Sequence, residues 1–485
     1  MGKEFPLTPK QVAKVETKYR RIVTDIPVPA SVPLLEKLRA NEARSMRGQP
    51  PVIWHKGAGV NIYDPYGNMW LDFSSGVLIT NAGHGHPAIA KAIIDTAGRA
   101  LLASYCFANQ ERAGLVEKLA ALAPEPLKKV FVLSTGAEAT ECCMKLAMTW
   151  GQKISKSKHV VVSFEDAFHG RTLGAQLMGG SPALKAWIPR DIAASPSFVQ
   201  APYPDGFRQT DVSFKVFEAA LAKAGVKPAD VCAVITETYP GGSCKFLPVE
   251  YAKALRAWCD KNGALLIFDE VQAGFGRCGK WFGFEHYGVK ADLIACGKGI
   301  SSSLPISAVL GRPDVLDQYD PGTMTSTHSG SPICSAAALA SLNVIEKENL
   351  VANAAKVGDV LQKGLDALKA KYPKVVGMAA GKGLVGSLQI IKPGTTEPDG
   401  ELAFDIVSNC VEAGLLFFAP VGKGGGSVKI APPLCINEEA LRDGLGVLDA
   451  AMASAVSRAV PGPGSAAKSA AKGCRCGCGK PAAAK

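Results

Sequence analysis

The hydrophobic pattern between residues 96 and 340 alternates between short apolar runs and longer amphipathic stretches. The apolar runs include VVVSF at 160–164, VCAVIT at 231–236, ALLIFD at 264–269 and DLIAC at 292–296, and a helical pattern covers 249–261. Uninterrupted apolar runs of this length are typical of strands that are buried on both faces. Their alternation with helices predicts an α/β fold with a mostly parallel central sheet between helices.

The regions on either side of this core have a different pattern. Residues 1–95 contain a Pro-interrupted arm and the segment VNIYDPYGNMWLDF at 60–73, which has the alternation and turn residues of a β-hairpin. Residues 341–457 contain amphipathic helices near 350–371 and 437–456, with a strand-like VKIA between them. We therefore expect an N-terminal arm with part of a small domain over 1–95, a large domain over 96–340, and a C-terminal small domain over 341–457.

Residues 458–485 are rich in Ala, Gly, Pro, Lys and Cys, a composition that buries too little apolar surface to fold. We expect this segment to be a disordered basic tail. Its Cys474, Cys476 and Cys478 are too few and too closely alternated for a usual four-ligand zinc site. No metal site is predicted.

Composition and charge narrow the classes of function. The chain has 485 residues, 47% of them hydrophobic, and a net charge of +11, of which the last 28 residues contribute six Lys or Arg and no acid. About half of the excess charge therefore belongs to the rest of the chain, which shows no arginine-rich helix or interleaved aromatic stripe, and we expect no nucleic acid partner. No apolar run suits a membrane span, no secretory signal is visible, and the fourteen cysteines are scattered through apolar segments. A cytoplasmic protein with no membrane partner is expected.

Three polar residues stand at the carboxyl ends of predicted strands. Glu237 follows VCAVIT, Asp269 follows ALLIF, and Lys298 lies two residues after DLIAC. In an open parallel sheet this edge forms the ligand crevice. A buried carboxylate such as Asp269 requires a cationic partner, and the pyridinium nitrogen of pyridoxal phosphate would provide one.

Lys298 lies in the small-residue segment Cys-Gly-Lys-Gly-Ile-Ser-Ser-Ser. Such a loop leaves an amine accessible, while apolar neighbours lower its pKa toward the nucleophilic form that forms a Schiff base. Considered alone, Lys298 is better interpreted as a surface lysine in a loop. Its combination with Asp269 favours a cofactor lysine.

Two further segments offer groups for binding a ligand. Gly136 and Ala137 open an amphipathic helix, with Ser134 or Thr135 available as its cap, so free N–H groups can hold a phosphate. The alternative is an ordinary helix cap. Phe168 and Arg171 follow the strand VVVSF, which suits a ring contact and a carboxylate partner, or else core packing and a surface ion pair.

Taken together, these residues resemble the class III aminotransferases of the 4-aminobutyrate and ornithine type, over about residues 30 to 457. The most specific segment is FDEVQAGFGRCGKWFGFEHYGVKADLIACGKGISSSLPISAV, which combines the acid, the glutamine and the lysine at the spacing of that family. The resemblance implies the fold type I architecture, in which a small domain from both chain ends joins the large domain. It also implies pyridoxal 5'-phosphate as the cofactor.

The resemblance assigns roles around that cofactor. It implies that Lys298 forms the imine and carries the proton, and that Asp269 pairs with the pyridinium nitrogen. Gln272 would hydrogen-bond the phenolic oxygen of the cofactor, while Val271 and Phe168 would enclose its ring.

The same resemblance assigns the phosphate and the substrate. Gly136 and Ala137 would hold the phosphate, and Thr327 would reach it from the partner subunit, so a homodimer or a dimer of dimers is expected. Around Thr327 the family's Thr-Tyr-x-Gly-Asn-Pro turn is replaced by Thr-His-Ser-Gly-Ser-Pro. Arg171 would bind the carboxylate of an amino acid or a 2-oxo acid.

Two departures from the family pattern concern substrate choice. Glu237 matches the first glutamate of the family and is expected at the cofactor, but the segment Glu-Thr-Tyr-Pro-Gly-Gly is one residue shorter and has no second acid. Lys429 stands where an arginine often binds a second substrate carboxylate, and a lysine lacks the planar two-pronged contact. We therefore expect pyruvate to suit this site better than 2-oxoglutarate.

The predicted reaction is a ping-pong transfer of an amino group from an amino acid, such as the omega-amino acid 4-aminobutyrate, to a 2-oxo acid. Two alternatives remain open. A racemase, epimerase or decarboxylating relative would use the same lysine and phosphate site. A binding or scaffold protein that has lost activity would be recruited through its tail, although Lys298, Asp269 and Gln272 argue against this.

Overall fold

The computed structural model describes residues 3–459, which include most of the chain outside the predicted tail. The N-terminal region begins with short strands and then a hairpin, as the alternation at 60–73 predicts. Its elements are β1 Val15–Glu16, β2 Arg21–Ile22, α1 Val32–Asn41, β3 Lys56–Ala58, β4 Asn61–Tyr63, β5 Met69–Asp72, α2 Ser75–Leu78 and α3 Pro87–Gly98.

The central region alternates strands with helices, and the predicted strands are found within one or two residues of their expected bounds. Its strands are β6 Lys129–Leu133, β7 Val160–Phe164, β8 Phe198–Ala201, β9 Val231–Glu237, β10 Leu265–Asp269, β11 Leu293–Cys296 and β12 Ser307–Gly311. Its helices are α4 Gln110–Leu122, α5 Gly136–Ile154, α6 Leu173–Met178, α7 Pro182–Lys185, α8 Arg190–Ala193, α9 Lys215–Lys223, α10 Val249–Asn262, α11 Pro313–Leu316 and α12 Pro332–Lys347.

These seven strands form one sheet in the order β6-β12-β11-β10-β9-β7-β8. Only β12 runs antiparallel to its neighbours, so the sheet is mostly parallel, as expected. Alternate residues of each strand enter two separate apolar clusters, one shared with α5 and the other with α10. Because both faces are covered, these strands consist of uninterrupted apolar runs.

The C-terminal region forms a second, antiparallel sheet in the order β13-β14-β16. Its elements are α13 Leu350–Lys371, β13 Val376–Lys382, β14 Val385–Ile390, α14 Gly400–Glu412, β15 Leu415–Leu416, β16 Ser427–Ile430 and α15 Glu438–Ala459. Strand β15 pairs in parallel with β5, so residues from both chain ends complete one sheet. This pairing agrees with a small domain built from the two ends.

The predicted domain boundaries near 95 and 340 fall inside helices α3 and α12, and the division itself stays a prediction. Helix α15 continues to Ala459, two residues past the predicted end at 457, and the remainder of the predicted tail lies outside the described residues. In the described part of the chain, no helix is both long and apolar enough to cross a membrane.

Candidate active site

A cleft of about 140 Å³ opens at the carboxyl edge of the parallel sheet. Since Asp269 and Glu237 end the paired strands β10 and β9 in matching register, both carboxylates arrive at this edge together. The cleft is lined by Gly136, Ala137, Phe168, His169, Gly170, Glu237, Tyr239, Asp269, Val271, Gln272, Ala273 and Lys298. Eight of the predicted site residues therefore meet in one cavity.

Asp269 is held by two donors at the floor of the cleft. Its Oδ1 accepts a hydrogen bond of 3.0 Å from the Val271 N–H, and its Oδ2 lies 2.8 Å from Nδ1 of the buried His169. Burial alone would lower the pKa of His169, but the hydrogen bond and charge of Asp269 outweigh it and raise that pKa above its ordinary value. Each carboxylate oxygen keeps a lone pair for a further cation.

Lys298 lines the same cleft as Asp269. It begins a short 3-10 turn after β11 and has a positive φ of 41°, a conformation that side-chain-bearing residues adopt rarely and mostly at functional sites. Burial lowers the pKa of its amine, the negative charge of Asp269 opposes this, and the positive charge of Lys429 adds to the lowering. No acceptor within residues 3–459 takes a hydrogen bond from its Nζ, which leaves the amine available for chemistry.

Glu237 is buried beside this pair. Its two carboxylate oxygens accept hydrogen bonds of 3.0 Å from the Phe168 N–H and 2.9 Å from the Gly241 N–H. Burial raises the pKa of Glu237 to about 7, although the charge of His169 and these two donors oppose the shift. Near neutral pH, Glu237 is therefore present in both protonated and ionised forms.

The helix predicted to seat a phosphate begins where the sequence indicates. Thr135, one of the two predicted caps, forms a capping box with Glu138, and Gly136 and Ala137 are the first helical residues. Within the described chain, neither of their N–H groups has a hydrogen-bond acceptor, and both residues line the cleft. A Cβ at Gly136 would lie 2.9 Å from Cγ1 of Val271, so this close approach requires glycine.

The predicted substrate and partner residues lie outside the floor of the cleft. Arg171 is exposed and does not line the cleft, but its guanidinium carbon is 5.6 Å from the centre of the ring of Phe168, which does. Thr327 is exposed in a turn and does not line the cleft of its own chain. Lys429 is buried on β16 and also does not line the cleft. Its Nζ lies 2.5 Å from Oε1 of Gln272 and 2.8 Å from the Gly241 carbonyl oxygen.

Sequence reasoning missed His169 and Glu270. His169 stands between two residues that the sequence singled out, and its position next to Phe168 was the available signal. Glu270 follows Asp269 but faces away from the cleft, where it accepts hydrogen bonds of 2.8 Å from the N–H groups of Gly283 and Phe284 and one from the Thr238 hydroxyl. Burial raises the pKa of Glu270 to about 7.

The donor set of the cleft fits pyridoxal phosphate. It combines an unpartnered amine at Lys298, a carboxylate at Asp269 with capacity for a cation, and unpartnered N–H groups at a helix N-terminus. These groups match an aldehyde, a pyridinium nitrogen and a phosphate respectively.

Comparison with known proteins agrees with this chemistry. A family model for class III aminotransferases matches residues 43–452. The ornithine aminotransferase of Emericella nidulans is 32% identical over 83% of this chain and 86% of its own, and the 4-aminobutyrate aminotransferase of Mycobacterium leprae is 32% identical over 88% and 97%. An alanine/serine racemase of Pyrococcus horikoshii is 29% identical over 92% and 96%.

Solved structures give the same result. A Bacillus anthracis aminotransferase has a TM-score of 0.78 and 29% identity, over 88% of this chain and 99% of its own. An ornithine aminotransferase of Toxoplasma gondii, with partial occupancy of pyridoxal phosphate at its active site, has a TM-score of 0.76 and 26% identity, over 88% and 95%. The chain therefore belongs to the class III family of pyridoxal-phosphate-dependent aminotransferases, with the fold type I architecture.

Proposed function

We propose that Lys298 is the lysine that binds pyridoxal phosphate covalently and moves the proton during transamination. The observation that carries this proposal is the placement of a half-buried amine, with no acceptor among residues 3–459, in the same cleft as Asp269. Burial favours the neutral amine, which is the form that attacks a carbonyl. Asp269, oriented by His169 and the Val271 N–H, would keep the pyridine nitrogen protonated.

The remaining cleft residues would bind and orient. Gly136 and Ala137 would direct their N–H groups to the phosphate, and Val271 and Phe168 would enclose the ring between them. Gln272 would donate to the phenolic oxygen, and Glu237 would fix the Phe168 backbone beside the ring. Pyridoxal phosphate supplies the aldehyde and the electron-withdrawing ring for this chemistry. Lys298 would then take the proton from the substrate carbon and return it on the neighbouring cofactor carbon.

The substrates we propose are an omega-amino acid such as 4-aminobutyrate as the donor, and a 2-oxo acid with one carboxylate, such as pyruvate, as the acceptor. Arg171, whose guanidinium carbon lies 5.6 Å from the centre of the Phe168 ring, would take a carboxylate. Only Lys298 and His169 supply basic side chains among the residues that line the cleft, so its interior provides no cation dedicated to a second carboxylate. The donor class rests on the relatives that act on 4-aminobutyrate and ornithine.

A panel of donors and acceptors tests this function with the purified holoenzyme. To observe the first half-reaction, each amino donor is added without an acceptor, and conversion of the cofactor to its amine form is followed by absorbance. We expect conversion by omega-amino acids and its reversal by pyruvate. A racemase, the alternative suggested by the Pyrococcus relative, would return the cofactor to its aldehyde form and change only the chirality of an alpha-amino acid.

We also propose a homodimer, or a dimer of dimers, in which Thr327 serves the cleft of the partner subunit. Support comes from an apolar patch formed by the neighbouring residues Leu102, Tyr105 and Phe107, with exposed fractions of 60%, 44% and 78%. The patch adjoins the turn that carries Thr327, since the Tyr105 hydroxyl lies 3.0 Å from the Thr325 hydroxyl. Exposed apolar area of this kind marks an interface.

Light scattering of the Phe107→Asp variant tests the dimer. We expect loss of dimer and of activity together, because a charge in an apolar interface has no partner. Trp187→Asp, at another exposed aromatic residue outside the patch, is the control. A fully active monomer would contradict the proposed sharing of Thr327.

A cytoplasmic location is the last part of the proposal. All eleven cysteines in the described residues are free, and eight of them are buried in apolar surroundings. Free thiols in this number suit a reducing compartment.

A further inference from the structure

Lys429 is a buried amine that approaches the cleft from the C-terminal sheet. It lies on β16, opposite Ser387 of β14, and only 3% of its surface is exposed. Burial lowers the pKa of this amine, and the nearby Cys244 and Glu237 oppose the lowering. A buried lysine is costly unless its hydrogen bonds are satisfied, so its partners indicate what it does.

The donors of Lys429 are already engaged within the protein. Its Nζ lies 2.5 Å from Oε1 of Gln272 and 2.8 Å from the carbonyl oxygen of Gly241. The ring of Tyr239 covers another side, with its centre 5.3 Å from Nζ. An ammonium group has three donors, so two acceptors and a ring face leave little capacity for a substrate carboxylate.

The contact with Gln272 determines how that amide is oriented. Because Lys429 can only donate, the oxygen of Gln272 must face it, and the amide NH₂ must point elsewhere. Gln272 lines the cleft, and with its oxygen engaged by Lys429 its NH₂ is the group left to donate to a ligand there. Gly241 packs against the same amide so closely that a Cβ at position 241 would collide with Nε2, which leaves the amide little room to move.

We propose that Lys429 is a positioning residue that locks the Gln272 amide with its NH₂ toward the cofactor, and that it does not anchor a second substrate carboxylate. This inference rests on the proposed function, because it takes Gln272 as a donor to the cofactor oxygen. This positioning role replaces the binding of a second substrate carboxylate, which the family resemblance suggests for position 429. A 2-oxo acid acceptor with a second carboxylate then binds no more tightly because of Lys429.

A double-mutant cycle on cofactor binding tests the positioning role. The dissociation constant of pyridoxal phosphate is measured by absorbance for wild type, Lys429→Met, Gln272→Ala and the double variant. We expect Lys429→Met to weaken binding about tenfold in the wild-type background, the effect of losing one well-formed hydrogen bond to a polar cofactor. In the Gln272→Ala background the same change should have an effect of less than about threefold, because Lys429 acts through Gln272.

Equal effects in both backgrounds, or no effect in either, would overturn the inference. Lys423→Met is the matched control, since Lys423 is exposed in the turn that leads into the same strand, and its removal should leave cofactor binding unchanged. Lys429→Arg is the second variant in case the methionine variant does not fold. It keeps a donor toward Gln272 and should restore part of the binding.

The acceptor preference provides the second readout. We expect the ratio of kcat/KM for 2-oxoglutarate to that for pyruvate to stay within about twofold in Lys429→Met, since a positioning residue affects both acceptors alike. A fall of tenfold or more for 2-oxoglutarate alone would identify Lys429 as a carboxylate anchor and defeat the inference. If wild type itself binds no pyridoxal phosphate at Lys298, the proposed function fails instead, so the two failures are distinguishable.

Discussion

The two ends of the cleft are built in different ways. At one end, Asp269 and Glu237 are the last residues of adjacent parallel strands, and Lys298 follows the next strand of the same sheet. At the other end, Lys429 comes from a separate antiparallel sheet and reaches Gln272, 157 residues away in the chain. The first end follows from sheet topology, whereas the second depends on how the C-terminal region docks.

This difference concerns chemistry as well as construction. The sheet edge places charged groups in the part of the cleft where we propose that the reaction occurs. The docked strand supplies a hydrogen bond that orients one amide. Substitutions at the sheet edge should therefore affect the chemical step, and substitutions at Arg171 or at the second end should affect binding or stability.

The largest effect is expected from Lys298→Ala. Loss of the amine removes both the covalent attachment and the proton carrier, so turnover should fall by about 10⁴-fold or more. The measurement combines steady-state turnover with borohydride reduction, which should no longer fix the cofactor to the protein. Lys290→Ala, at an exposed lysine before the same strand, should keep both properties. A variant without Lys298 that retained them would refute the assignment.

Asp269→Asn should have the next largest effect. The amide keeps the size of the side chain but removes the charge that faces His169 and the cofactor ring, so kcat should fall about 10²- to 10³-fold. The pKa of His169 should also fall, because Asp269 is the group that raises it. Stopped-flow absorbance of the first half-reaction measures the rate.

Glu270→Gln provides the comparison for that substitution, since Glu270 is adjacent in sequence but hydrogen-bonds away from the cleft. It should lower the free energy of unfolding and affect kcat much less. Equal losses of kcat in the two variants would contradict the expectation that only the carboxylate that lines the cleft supports the reaction.

Arg171→Met should act on binding rather than on the chemical step. Removing the guanidinium beside Phe168 should raise KM for the carboxylate substrates about 10- to 100-fold, with a smaller change in kcat. Arg190→Met, at another exposed arginine, is the control. Steady-state kinetics with a donor that lacks a carboxylate should show no such increase in KM.

The smallest effect is expected on the pH dependence of stability in the cofactor-free protein. The pKa of Glu237 is about 7 in the folded protein and 4.5 in its ordinary state. Between these values the folded state holds a proton that the unfolded chain has released, so the free energy of unfolding falls as pH rises. Glu237→Gln should reduce this slope by up to about 1.4 kcal/mol per pH unit.

Urea unfolding from pH 4.5 to 7 measures that slope. The variant should be less stable near pH 4.5, because an amide cannot accept from both the Phe168 and Gly241 N–H groups, and this difference should shrink as pH rises. Part of the slope should remain, since the pKa of Glu270 is also raised to about 7. An unchanged slope would mean that Glu237 is ionised throughout this range.

Much of the sheet-edge end of the cleft was predictable because short stretches of sequence specify its strands and the polar residues that follow them. The strands are uninterrupted apolar runs, and each polar side chain directly follows one of them. The start of α5 was predictable as well, although the sequence left the cap open between Ser134 and Thr135, and the structure shows Thr135 as the cap. Successive side chains of a strand point to opposite faces, so the sequence could have predicted that Glu270, next to Asp269, points away from the cleft.

The sequence by itself determined the strands, the order of chemistry-bearing residues along them, and the family to which their spacing points. Only the tertiary structure decided that His169 pairs with Asp269 and that Lys429 donates to Gln272. Strand formation depends on neighbouring residues, whose pattern is visible in the chain. A contact between a strand of one sheet and a loop of another depends on the packing of every element between them, and no local pattern records that.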